Sequence, residues 1–142
     1  YDVLKKIYTY KINVGEYNPL EYSYIYQYNN ELDIDKMKEA IKYFIGEHDF
    51  TSFVKDANEK ENCIRTIYDA YIKEENGIVS ITFEGNGFLR YMVRNMVGSL
   101  IEVGANKRKI EDIKDILDNK DRKTAGITAP SNGLYLVDVY YK

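Results

Sequence analysis

The sequence predicts an α+β domain, a mostly antiparallel sheet of four to five strands with two to three helices packed on one face. Stretches of period-two alternation recur near both ends and in the middle of the chain, an Asn76-Gly77 pair joins two of them, and apolar residues fall at helical spacing over 34–45 and 87–104.

In chain order, Ile7, Thr9 and Lys11 alternate with Tyr8, Tyr10 and Ile12, which predicts a first strand from about Leu4 to Val14, stopping near Gly15. Asn18-Pro19 favours a turn, and Tyr22, Tyr24, Tyr26 and Tyr28 follow at strand spacing, as a strand or an extended loop. Asp33 is placed to cap a helix from Ile34 to Ile45, whose Met37, Ala40, Ile41, Phe44 and Ile45 share a face, and Gly46 stands where a C-cap glycine belongs. Asp49-Phe50-Thr51-Ser52-Phe53 reads as a capped turn with two inward aromatics. Two alternating stretches, Cys63 to Lys73 and Gly77 to Glu84, form a hairpin through Asn76-Gly77. Asn86 is placed to cap a central helix from about Gly87 to Gly104; Ile110, Ile113, Ile116 and Leu117 mark a short helix, 124–132 a loop, and Gly133 to Tyr141 a closing strand.

With 142 residues, 44% of them apolar and 30% charged, the chain fits a single globular domain rather than a disordered one. It contains no run of the ~20 apolar residues a membrane helix needs, and a cytoplasmic location is expected. One cysteine (Cys63) and one histidine (His48) supply too few soft ligands for a structural zinc site, and no metal is expected. A net charge of −3 argues against coating nucleic acid by bulk electrostatics and leaves local basic clusters open, such as Arg90 with Arg94.

The central helix carries the most informative pattern. Phe88, Leu89, Met92, Val93, Met96, Val97, Leu100 and Ile101 cover a broad apolar face, with Arg90 and Arg94 at its edge and Tyr91, Asn95 and Glu102 on the polar side. A guanidinium resists burial unless paired, so an arginine there calls for an anion. Such an arginine also commonly lays its stem on apolar neighbours with its charge in water, and helical geometry alone leaves both readings open. On the first strand Lys6, Tyr8 and Tyr10 share a face, a cation-and-ring arrangement that can hold an unstacked base, although the pattern by itself favours a cross-strand aromatic pair with a lysine at the edge. His48, Cys63 and the isolated acids Asp2, Asp49, Glu84 and Asp138 compose no complete acid/base or nucleophilic site.

Taken in order, the Lys6 to Tyr10 strand, the Gly46 to Phe53 turn, Arg65-Thr66-Ile67, Gly87-Phe88-Leu89 leading into Met92 to Gly98, and Ala129-Pro130 followed by Gly133-Leu134-Tyr135-Leu136 resemble the C-terminal half of the tRNA pseudouridine synthase A family, over essentially the whole chain. The resemblance implies a cofactor-free isomerase that detaches uracil from its ribose and reattaches it through carbon, in the anticodon stem-loop of tRNA, working as a homodimer. It implies that Tyr8 packs on the target uracil and that Arg94 pairs with the catalytic aspartate. It further implies that Leu134 or Leu136 floors the uridine pocket and that Lys6 and Arg90 contact phosphate. The family's nucleophile lies in an Arg-Thr-Asp motif of its N-terminal half; here Arg65-Thr66 continues into Ile67 and no Arg-Thr-Asp occurs. Residues 1–142 are therefore expected to be one C-terminal domain without the catalytic aspartate, inactive by itself; the opening at Tyr1, already in a strand pattern, fits a fragment. Two rivals stand beside this reading: a non-catalytic RNA-binding module using Lys6, Tyr8 and Arg90, and a dimerisation domain with its edge at Tyr22 to Tyr28.

Overall fold

The computed structural model describes residues 2–142. Six strands form one mixed, mostly antiparallel sheet: β1 (Val3–Asn13), β2 (Tyr26–Gln27), β3 (Gly46–Asp49), β4 (Ile64–Glu75), β5 (Ile78–Gly85) and β6 (Leu134–Tyr141). The order is β2-β1-β5-β4-β3, with β6 antiparallel to the first part of β1 and β2 parallel to its last two residues. The helices are α1 (Ile34–Ile41), α2 (Met92–Gly104) and α3 (Asp112–Asn119). The architecture is the α+β one expected, with one strand more than the sequence predicts.

Period two decides which side of the sheet is core. Tyr10 and Ile12 of β1, Val79, Ile81 and Phe83 of β5, and Ala70 and Ile72 of β4 all point into one apolar cluster with the helices. The opposite face carries Thr9 hydrogen-bonded to Thr82 at 2.9 Å, Lys5 paired with Glu84 at 3.1 Å, and Lys11 over the Tyr135 ring. Asn76 and Gly77, at φ 53° and 79°, make the left-handed two-residue turn that matches strand twist, so the β4–β5 hairpin is specified locally.

Four local expectations need correction. The segment through Tyr22 and Tyr24 is a run of turns, with Glu21 N donating to Asn18 O and Ile25 N to Glu21 O, and only Tyr26–Gln27 joins the sheet. Buried Asn13 holds the returning chain: its Nδ2 donates to Glu16 O and Gln27 Oε1, and its Oδ1 accepts from Gly15 N. The first helix ends at Ile41 and tightens into a 3-10 turn, Lys42–Phe44, before Gly46 at φ 106° reverses the chain into β3, a strand too short for periodicity to reveal. Asn86 does not cap the central helix. Its amide N donates to Thr66 O and its Oδ1 accepts from Thr66 N, extending the β4–β5 ladder instead.

The fourth correction matters most for the site. Helix α2 begins at Met92, because the backbone before it is spent elsewhere: Arg90 O accepts from Lys55 N at 3.1 Å, and Tyr91 sits in the left-handed region at φ 63°, ψ 4°. A bulky side chain in that conformation costs about 1–2 kcal/mol. Arg90 and Arg94 therefore do not share one helical face.

Candidate active site

A cleft of about 270 Å³ opens between the middle of β1, the start of β6 and the N-terminus of α2. Tyr8, Phe88, Tyr91, Arg94 and Leu134 are among the residues that line it. Tyr8 projects from β1 beside Phe88, edge to face at 5.0 Å between ring centroids, so one side of its ring is fixed. Leu134 reaches the cleft from the first residue of β6, which pairs with Tyr10.

Arg94 is held in the first turn of α2 by the loop that precedes β6. Its Nε donates to Ala129 O at 2.8 Å, while Ala129 N donates to Arg94 O at 3.0 Å. The next carbonyl, Pro130 O, accepts the hydroxyl of fully buried Tyr10, whose phenol burial pushes well above its ordinary range. The 129–130 peptides are thus stitched between β1 and α2, and the guanidinium follows them. Its carbon lies 4.5 Å from the Tyr91 ring centroid, and among the described residues no carboxylate lies within ion-pairing distance of it. A half-buried cation at the wall of a cleft, with neutral partners only, is an electrostatic receptor for an anion.

The same loop is tied to α2 from behind. Asn95, which periodicity puts on the polar side, is 1% exposed. Its Nδ2 donates to Phe53 O, and its Oδ1 accepts from Thr128 Oγ1 and Arg122 Nη2. Arg122 also donates to Ala125 O, Gly126 O and Thr128 Oγ1. Asn95 and Arg122 are functional supports that the sequence reading missed. The partners of Asn95 lie 27 to 42 positions away, beyond any periodic signal, and Arg122 reaches Asn95 only through the same long-range contact.

The remaining candidates fall outside the cleft lining. Leu136 is the direct β-partner of Tyr8 and stands 52% exposed, so of the two leucines Leu134 is the one in the cleft. Lys6 shares the face of Tyr8 and is half-buried. Arg90 is turned away by the left-handed Tyr91 and forms a two-pronged pair with Glu61 (2.7 and 3.1 Å), besides donating to Lys55 O and Asp56 O. That bond to Arg90 holds the Glu61 carboxyl below its ordinary value of 4.5. Because the folded value is depressed, the pair supports the 55–61 loop at neutral pH and loses that support as pH falls through the lowered value. The protection factor of the Lys55 amide is expected to drop on acidification below that range, and in Glu61→Gln to be low already at pH 7; equal protection in both would mean that the pair does not hold the loop.

The cleft thus brings the Tyr8 ring, the Leu134 side chain and the Arg94 guanidinium to one opening, with no carboxylate among the described residues paired to that arginine. The family model for tRNA pseudouridine synthases matches residues 40–142, and the chain belongs to that family. It is 46% identical over 142 residues to a tRNA pseudouridine synthase A 2 of Clostridium tetani, covering 99% of this chain and 57% of that protein. It is 47% identical over 141 residues to tRNA pseudouridine synthase A of Pseudothermotoga lettingae, covering 98% and 58%, and 43% identical over 141 residues to that of Anoxybacillus flavithermus, covering 99% and 57%. The chain spans a little over half the length of these relatives. None of the helices among the described residues is long and apolar enough to cross a membrane.

Proposed function

We propose that this chain is the part of a cytoplasmic, homodimeric, cofactor-free tRNA pseudouridine synthase that completes the uridine cavity, and that it acts on a uridine of the anticodon stem-loop. In the reaction the bond between uracil N1 and ribose C1′ breaks, a bond from C5 to C1′ forms, C5 gives up its proton and N1 takes one up, so the product is an isomer of the substrate. Arg94 pairs with the nucleophilic aspartate, which the rest of the enzyme supplies, and keeps it ionised and oriented where water is scarce. Tyr8 packs on the uracil, Leu134 contributes the apolar floor with Leu136 at its rim, and Lys6 contacts phosphate. Arg90 can reach phosphate only by leaving Glu61, and its main part in this reading is to hold the 55–61 loop. The observation that carries the proposal is the Arg94 guanidinium at the wall of a cleft shared with Tyr8 and Leu134, without a carboxylate of its own.

Tritium release from tRNA carrying uridine labelled at carbon 5 tests it. The full-length protein is expected to release label and the 142-residue chain none, with weak, salt-sensitive tRNA binding by the chain. Silence from the full-length protein, or robust release by the chain, overturns the proposal. In the full-length protein Tyr8→Leu is expected to slow release at least about 5-fold, since stacking on a base is worth about 1–3 kcal/mol; wild-type rates in that variant would remove Tyr8 from the uracil.

A further inference from the structure

Tyr91 has no part in the reading above, and it is the one bulky residue of the described chain placed in the left-handed region beside the cleft. Asparagine, aspartate or glycine would take that backbone with less strain. Tyr91 is instead an aromatic residue, 41% exposed. What its ring touches is charge: the Arg94 guanidinium carbon lies 4.5 Å from the centroid and the Lys55 ammonium 4.6 Å from it. The two cations also hold the Tyr91 phenol below its ordinary range, Lys55 contributing most. With Nε tied to Ala129 O, Arg94 can still pivot about that bond, and a ring 4.5 Å from the guanidinium carbon restricts this freedom.

Resting on the proposed function, we infer that Tyr91 is a positioning residue: its ring, delivered by a strained left-handed turn, fixes the plane of the Arg94 guanidinium in the cleft so that the incoming carboxylate meets a preset fork. Lys55 secures the ring from the neighbouring 55–61 loop, which itself is anchored by Arg90 and Glu61.

The decisive variant is Tyr91→Gly, which relieves the backbone while removing the ring. In the full-length protein it is expected to melt no lower than wild type yet to release tritium about 10-fold more slowly, with tRNA affinity within about 3-fold; Tyr91→Phe recovers the rate to within about 3-fold. Against an Arg94→Ala background, Tyr91→Gly is expected to cost nothing further, because both act through one group. Full additivity of the two losses, or a wild-type rate in Tyr91→Gly, overturns the inference. A readout independent of activity uses the 142-residue chain: solvent exchange of the Arg94 Nε proton, followed by NMR, accelerates at least 5-fold in Tyr91→Gly and stays near wild type in Tyr91→Phe. Unchanged exchange in Tyr91→Gly sinks the positioning role even if the enzyme reading stands. A full-length protein that releases no label sinks the enzyme reading and leaves the exchange result to decide whether Tyr91 holds Arg94.

Discussion

Arg94→Ala, introduced into the full-length protein, is expected to slow pseudouridine formation by about 10²–10³-fold, the usual effect of removing one preorganised electrostatic partner from a water-poor site. tRNA affinity is expected to change by no more than a few-fold, because the guanidinium faces a cleft of about 270 Å³ sized for a base rather than an open phosphate track. Arg94→Lys is expected to recover only part of the rate. An ammonium supplies the charge but neither the planar fork nor the Nε bond to Ala129 O that aims it. Single-turnover rates and filter binding on the same preparations separate the two effects. Equal losses of affinity and rate would mean that Arg94 merely holds RNA, and the proposed pairing with a catalytic carboxylate would be lost.

Gly98→Ala is expected to destabilise the chain by about 3 kcal/mol, although on an isolated helix the same change stabilises by about 1 kcal/mol. A methyl group at position 98 would lie 1.7 Å from Ile127 O and 2.7 Å from its carbonyl carbon, which are backbone atoms that no rotamer change can move. The 125–130 loop must lift from α2, at the upper end of the about 1–3 kcal/mol of overpacking. Lifting it also strains the reciprocal Ala129–Arg94 bonds and the Thr128–Asn95 bond, each worth about 1 kcal/mol. Urea denaturation of the 142-residue chain measures the loss, and the same variant in the enzyme should impair turnover because Arg94 loses its anchor. A stabilised Gly98→Ala would show that the loop does not approach the helix as closely as described.

These two residues also show where sequence reading succeeds and where it stops. The broad apolar face of the central helix is legible because Met92, Val93, Met96, Val97, Leu100 and Ile101 fall at helical spacing, and all of them are buried, although the helix is covered on nearly every side. The hairpin at Asn76-Gly77 is legible because two left-handed residues in succession demand those side chains. The start of α2 is not legible, because periodicity continues through Phe88 and Leu89 while the hydrogen bond that ends the helix there comes from Lys55, thirty-five positions earlier. Together with the left-handed Tyr91, that bond accompanies the departure of Arg90 to Glu61, and of the two arginines only Arg94 lines the cleft.

Local side-chain chemistry and hydrophobic periodicity, then, are enough to settle the α+β class, the strands β1, β4, β5 and β6 and the apolar stripe of α2, and they raise the question of where an arginine at the edge of that stripe finds its anion. Only the packed structure decides that Arg90 is taken by Glu61, that Leu134 rather than Leu136 enters the cleft, and that Asn95 is core and not surface. Each of these depends on a partner far along the chain, and a contact between distant segments leaves no periodic mark on either one.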